Sequence, residues 1–361
     1  MPPSFHRLMT EATRLTRNGE LGAATAALRA ALAGVAVATA DPAARAADPA
    51  RDDALVIDVE ARFVDEPPAR PAPARPAPDA SSGEFIAGHY ADAAGARDYK
   101  LYVPPEHRGR SLPLVVMLHG CTQDPDDFAR GTGMNDAALE RGFFVLYPAQ
   151  SPQVNPQRCW NWFKHSHQRR GRGEPALLAG MTRDVMKRHD IDPRRVYVAG
   201  LSAGGAMAAI LGETYPDLYA AVGVHSGLPA GAARDVGSAL AAMKQGAAAA
   251  RPSEARTPTI VFHGDRDATV HPLNGEQIVA GQGGARAPEV ERARSANGRE
   301  YTRSVYRDEN LRVVAEHWVV HGAAHAWSGG SPLGSYTDAR GPDATEELLR
   351  FFFANPRQSA M

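Results

Sequence analysis

A serine hydroxyl attacks a carbonyl only when an imidazole takes its proton and a carboxylate orients that imidazole. Residues 194–216 read RRVYVAGLSAGGAMAAILGETYP and place Gly200, Ser202 and Gly204 in the spacing G-x-S-x-G. In a chain with 34 glycines that spacing alone is a weak signal. Its setting is more specific. The apolar run Val196–Ala199 leads in as a strand, and an alanine-rich stretch from Ala203 to Glu213 leads out as a helix. Glycines on both sides remove the Cβ atoms that would obstruct so sharp a turn, and the turn presents the Ser202 hydroxyl at the carboxyl end of a sheet. The competing reading is an ordinary glycine-rich helix start.

A nucleophile of this kind requires an acid and a histidine further along the chain, in that order. After the apolar run TPTIVF comes HGDRDATVHP, with Asp265 and Asp267; after HWVV comes HGAAHAWSGG, with His321 and His325. Asp265 and His321 lie close to the strand ends, whereas Asp267 and His325 lie deeper in loops that must reach over the sheet edge. That position selects Asp267 and His325, and glycine and alanine around His325 leave room for its approach. His263 and His321 then read as strand-end histidines satisfied by backbone groups, and Asp265 as a turn cap. The oxyanion formed on attack needs fixed N–H donors, each worth about 3–4 kcal/mol. One is the amide of Ala203, directly after the nucleophile. The second is expected from the loop after LPLVVMLHG (residues 112–120), where Cys121 sits.

These groups need a scaffold that brings strand ends together. Strand-like stretches occur at 83–90 and 97–104, followed by compact apolar runs at 112–120, 142–148, 194–200, 219–227, 257–264 and 312–322. Most of the runs are continuous rather than alternating, as in strands covered on both faces. Helix-like segments lie between them: NDAALERG, Ala176 to His189, the stretch after Ser202, and a final ATEELLRFFFA. Repeated strand and helix alternation predicts an α/β fold with a mainly parallel central sheet and helices on both faces. Ahead of it, residues 66–83 read EPPARPAPARPAPDASSG, an extended spacer. The division is therefore an N-terminal helical segment at 1–65, a proline-rich linker at 66–82 and a catalytic domain at 83–361. In the first part Leu8, Ala12, Leu15 and Leu21, Ala24, Leu28 recur at helical spacing around Asn18-Gly19, an amphipathic helix or helix pair expected to dock on the catalytic domain or on a partner.

Composition narrows the ligand. Forty basic against 41 acidic residues leave a formal charge of -1, so no global field directs the chain to nucleic acid or an anionic membrane. Two cysteines without a CxxC or a Cys/His cluster argue against structural zinc, and His165 and His167 in the basic loop at 164–172 have no third ligand nearby in sequence. No cofactor or metal is expected. No run of 18 apolar residues suggests a transmembrane helix. Leu28 to Ala40 ends like a signal cleavage site, but the charged residues before it and its weak apolar core favour a docking helix.

LHGCTQ, CWNWF, AGLSAGGAMA, HGDRDATV and HAWSGG, in this order, resemble the esterase family of short-chain polyhydroxyalkanoate (polyhydroxybutyrate) depolymerases, within the α/β hydrolases. Feruloyl and acetylxylan esterases look like its nearest functional neighbours. The resemblance covers roughly residues 83–356. It implies a serine carboxylic ester hydrolase with Ser202 as nucleophile, Asp267 as acid, His325 as base, and an oxyanion hole from the amides of Cys121 and Ala203. It also implies that Trp160 and Trp162 line the cleft for the acyl or polymer chain; two core tryptophans are the alternative. Trp327 is expected to pack behind the histidine loop. Secreted members that attack solid polymer are expected to carry a signal peptide and a C-terminal substrate-binding domain. This chain ends soon after its last helix, which makes soluble oligomers or small esters the expected substrates.

The rival functions are a feruloyl or acetylxylan-type esterase and a non-catalytic binding module, the latter opposed by the complete Ser, Asp, His set. The resemblance and the cysteine pair favour an extracellular or periplasmic setting, while the N-terminus leaves a cytoplasmic one open. Within the resemblance, what the site requires at Cys121 is a backbone N–H held still. A disulfide from Cys121 to Cys159 would provide that and tie the tryptophan pair to the oxyanion loop.

Overall fold

The computed structural model describes residues 82–105, 107–248, 257–282 and 287–358. The N-terminal helix pair and almost all of the proline-rich spacer lie outside the described residues.

The continuous apolar runs form the middle of a ten-stranded sheet because their side chains are needed on both faces. Strand β3 (Leu112–Leu118) is buried at every position. Its Leu114, Val116 and Leu118 belong to one core, and Val115 and Met117 to the other. The same division holds for β5 (Ile191–Leu201), where Val196 and Val198 face one way and Tyr197 and Ala199 the other. With β4 (Phe144–Pro148), β6 (Ala221–His225), β7 (Thr259–Gly264) and β10 (Val313–Val320), these strands make a parallel centre in the order β4-β3-β5-β6-β7-β10. Antiparallel strands flank it: β1 (Glu84–Asp92) and β2 (Gly95–Val103) on one side, β8 (Glu289–Arg294) and β9 (Glu300–Arg307) on the other.

Helices cover both faces. On the first lie α3 (Gly173–Arg188), α4 (Ala203–Thr214), α5 (Val236–Gln245) and α6 (Leu273–Gly281), contributing Leu178, Ala208, Ala242 and Ile278. On the second lie α1 (Pro125–Thr132), α2 (Met134–Arg141) and α7 (Ala344–Ala354), contributing Phe128, Ala138 and Phe352. Phe352 is fully buried and stacks on Tyr197 with ring centroids 4.9 Å apart. Such burial stabilises the closing helix by about 2–3 kcal/mol.

Several elements were absent from the sequence reading. Helix α1 starts on Asp124, whose side chain accepts the amide of Asp127, with Pro125 next and Gly133 in the left-handed region at its end. Helix α5 opens with a capping box between Asp235 and Ser238. Strands β8 and β9 form a hairpin whose polar EVERAR and EYTRSVYR carry little apolar signal because β8 is a largely exposed edge. No described helix is long and apolar enough to cross a membrane.

Candidate active site

Ser202 joins β5 to α4 with φ 58° and ψ -118°, a conformation that costs an L-residue about 1–3 kcal/mol. The close approach explains the flanking glycines. A Cβ on Gly204 would collide with the carbonyl oxygen of Leu118, and one on Gly200 with the backbone of Gly204. The Ser202 amide donates to the carbonyl of His225 at 2.9 Å, which pins the turn to the end of β6.

Parallel pairing of β7 with β10 sets the acid and histidine loops side by side, with His263 opposite Val319 and Gly264 opposite Val320. The loops are stitched by Asp265 N to Val320 O (3.2 Å) and Arg266 N to Ala323 O (3.0 Å). Two Asp–His pairs result. His325 Nδ1 donates to Asp267 Oδ2 at 2.7 Å, and His321 Nδ1 to Asp265 Oδ2 at 2.9 Å. The Asp267 side chain is 0% exposed and that of His325 11%; Asp265 and His321 stand at 38% and 39%.

Asp267 Oδ1 also accepts the amides of Thr269 (2.9 Å) and Val270 (2.8 Å). Burial by itself would raise this carboxyl, but the contacts from His263 and His325 and the Val270 amide outweigh it and hold the group well below the usual carboxylate range. Because a carboxylate only accepts, the His325 proton sits on Nδ1, and Nε2 carries the lone pair. His321 is engaged at both nitrogens, since its Nε2 lies 2.9 Å from Thr302 Oγ1. Its partners are thus side chains, not the backbone groups expected from sequence. His263 keeps the backbone bond expected of it, from Nε2 to Val270 O at 2.8 Å.

His225, which sequence reasoning did not single out, links Ser202 to the loop that carries His325. Its carbonyl holds the Ser202 amide, and its Nε2 accepts the amide of Ser328, three residues beyond His325, at 2.9 Å. The ring is enclosed between Phe262 and Trp327, and burial drops its pKa to about 3, so it stays neutral and keeps that lone pair. A histidine at the end of the strand beside the elbow was the available signal. Trp327 is a core residue, as expected, with its indole N–H on Thr345 Oγ1 at 3.1 Å.

The loop after β3 runs beside the elbow, since a Cβ on Gly120 would lie 3.6 Å from that of Ser202. Cys121 and Cys159 form a disulfide with Cα atoms 4.2 Å apart. The amides on either side of Cys121 are occupied, Gly120 N by Gln123 Oε1 (2.9 Å) and Thr122 N by Gln157 O (2.6 Å). Among the described residues no acceptor engages the amide of Cys121 or that of Ala203.

Trp160 and Trp162 do not line an open cleft. Both are buried in the core on the α3 and α4 face, and the Trp160 indole N–H donates to His119 O at 3.1 Å. Trp160 instead braces His119, just after β3, where the loop carrying Cys121 departs. The segment between them is anchored on the buried carboxylate of Glu174, which accepts Asn161 N (2.7 Å), Asn161 Nδ2 (2.8 Å) and Gln150 Nε2 (2.6 Å). Burial favours its neutral form, yet contacts from His167, Gln150 and Asn161 keep it below the ordinary range. Among the described residues no three His, Cys, Asp or Glu converge as a metal-ligand set.

Residues 97–283 match the family described as esterase PHB depolymerase. The chain is 32% identical to poly(3-hydroxyalkanoate) depolymerase C of Paucimonas lemoignei over 252 residues, 65% of this chain and 59% of that protein. It is likewise 32% identical to poly(3-hydroxybutyrate) depolymerase of Ralstonia pickettii over 239 residues, 60% of this chain and 48% of that one. The matches thus span about half to three fifths of those relatives' length. Among solved structures, an acetyl xylan esterase from Aspergillus awamori aligns with a TM-score of 0.59 at 20% identity, over 74% of this chain and 99% of that chain. That likeness is one of fold, the α/β-hydrolase fold.

Proposed function

The chain belongs to the esterase family of polyhydroxybutyrate depolymerases, and from that membership we propose that it is a serine carboxylic ester hydrolase acting on short-chain hydroxyalkanoate oligoesters or polyesters. The observation that carries the reading is the sealed Asp267–His325 pair, 2.7 Å long, whose histidine loop is tied through His225 to the strained elbow of Ser202. In the proposed reaction the Ser202 oxygen bonds to the ester carbonyl carbon as His325 Nε2 takes its proton, and Asp267 stabilises the imidazolium. The carbonyl oxygen, now negative, accepts from the amides of Cys121 and Ala203, neither of which has an acceptor among the described residues. His325 then protonates the departing alkoxide, and water, activated by the same imidazole, releases the acid from the acyl-enzyme.

Hydrolysis of p-nitrophenyl butyrate by the wild type and by Ser202→Ala tests the proposal. The variant is expected to lose about 10^4-fold or more in kcat. Equal background rates in both proteins would overturn it. A panel of soluble hydroxybutyrate oligomers, feruloyl sugars and acetylated xylan then assigns the substrate class, with the oligomers expected to turn over fastest.

A further inference from the structure

Tyr336 combines two properties that seldom occur together. Its φ is 53°, in the left-handed region that large side chains avoid, and the residue is 46% exposed. Neither burial nor regular structure accounts for the strain. The surroundings nevertheless enforce it from both sides. Ser335, just before, donates its amide and hydroxyl to Asp127 (2.9 and 2.5 Å), and its carbonyl accepts Gln123 Nε2 at 3.2 Å. The carbonyl of Tyr336 itself accepts the amide of Trp327 at 2.7 Å, and Thr337 next pairs with Trp327 in a two-residue parallel ladder. Strain held in this way clusters where a side chain must be presented to a ligand.

What the strain presents is an aromatic wall. The ring stands edge-on to His325, with centroids 6.4 Å apart at 80°, and its hydroxyl lies 3.3 Å from Thr122 Oγ1, the residue after Cys121. Gln123 connects the same segment to the oxyanion loop, because its Oε1 accepts Gly120 N while its Nε2 reaches Ser335 and Asp127. Tyr336 therefore spans from His325 to the loop that carries Cys121. The leaving alcohol must lie next to His325, which delivers its proton.

Resting on the esterase reading above, the geometry points to Tyr336 as a specificity-determining residue whose ring packs against the alcohol side of the scissile ester, the chain that departs first. An aliphatic or hydroxyacyl chain suits such a flat apolar face.

The test compares two ester series in wild type, Tyr336→Gly and Tyr336→Phe: methyl, butyl and hexyl butyrate by pH-stat, and p-nitrophenyl acetate, butyrate and hexanoate. Glycine removes the ring and relieves the backbone, so its melting temperature should equal or exceed that of the wild type. Its KM for hexyl butyrate should rise about 5- to 20-fold relative to methyl butyrate with kcat little changed, as expected when uniform binding is lost. The acyl series should keep its wild-type length dependence, and phenylalanine, which keeps the ring, should restore the alcohol-length dependence. An unchanged alcohol profile in Tyr336→Gly, a change confined to the acyl series, or an equal loss on all esters with a lower melting temperature would each overturn the inference. Wild-type hydrolysis abolished by Ser202→Ala shows that the parent reading holds. Without any such hydrolysis, the parent reading and this inference fall together.

Discussion

Asp267–His325 and Asp265–His321 are nearly the same object twice, each an aspartate on the loop after β7 bonded through Oδ2 to Nδ1 of a histidine on the loop after β10. Their bond lengths differ by 0.2 Å, from 2.7 to 2.9 Å. Their surroundings differ far more. One pair is enclosed and its carboxylate is saturated by backbone amides, so the charge interaction acts in a low-dielectric setting. The other is screened by water and is worth about 0–1 kcal/mol. The enclosed histidine also keeps Nε2 free for the proton transfer proposed above, whereas His321 spends its Nε2 on Thr302. An Asp–His pair is thus not a catalytic signature by itself. Burial and a free second nitrogen single out the pair that the proposed reaction uses, and the exposed pair serves to clamp the two loops together.

The largest test of that contrast is a paired substitution. Asp267→Asn should lower kcat by about 10^4-fold on p-nitrophenyl butyrate, while Asp265→Asn should stay within about threefold. Similar losses in the two variants would erase the distinction. The oxyanion loop comes next. Replacing both Cys121 and Cys159 by alanine reopens a crosslink 38 residues apart in sequence and should cost about 4 kcal/mol in denaturant unfolding, less if the reduced chain keeps residual structure. The Cys121 amide is then less firmly held, and kcat should fall by about tenfold. Full kcat with the expected stability loss would separate the disulfide from the chemistry.

A smaller effect concerns acid. Burial depresses His225 to about 3 and His119 and His317 to about 4. A histidine whose folded pKa lies below its unfolded value near 6.5 binds its proton more readily in the unfolded chain. Stability should therefore decline as pH falls from about 6.5 towards 3–4. Asp267, also depressed, adds its loss only below the usual carboxylate value near 4. Guanidinium melts at pH 7, 5.5 and 4.5 measure the slope. His225→Gln, which keeps an acceptor and removes the titration, should flatten part of it; an identical slope would show that His225 is not buried neutral.

How much of this was legible varies with the physical signal. The strands β3 to β7 and β10 announce themselves because a strand covered on both faces must be apolar throughout. The elbow is equally visible, since its glycines are demanded by backbone contacts that follow from the local turn. Strands β8 and β9 were missed because an edge hairpin needs few apolar residues. The tryptophans of CWNWF could not be placed by type, as the same indole suits a cleft wall or a core, and contact with His119 and the Glu174 network put them inside. Tyr336 gave no local sign, because its positive φ is imposed by Asp127 and Trp327, distant in sequence or across a turn.

The sequence by itself determined the alternation of strand and helix, the sharp turn at Ser202, and the presence of acids and histidines at two later strand ends, because each depends on residues adjacent along the chain. Which aspartate meets which histidine, which pair is sealed from water, which amides keep no acceptor, and which aromatic ring stands against His325 were decided only by the tertiary structure. These depend on the register of β7 against β10 and on the packing of loops separated by tens to hundreds of residues, and no local pattern encodes either.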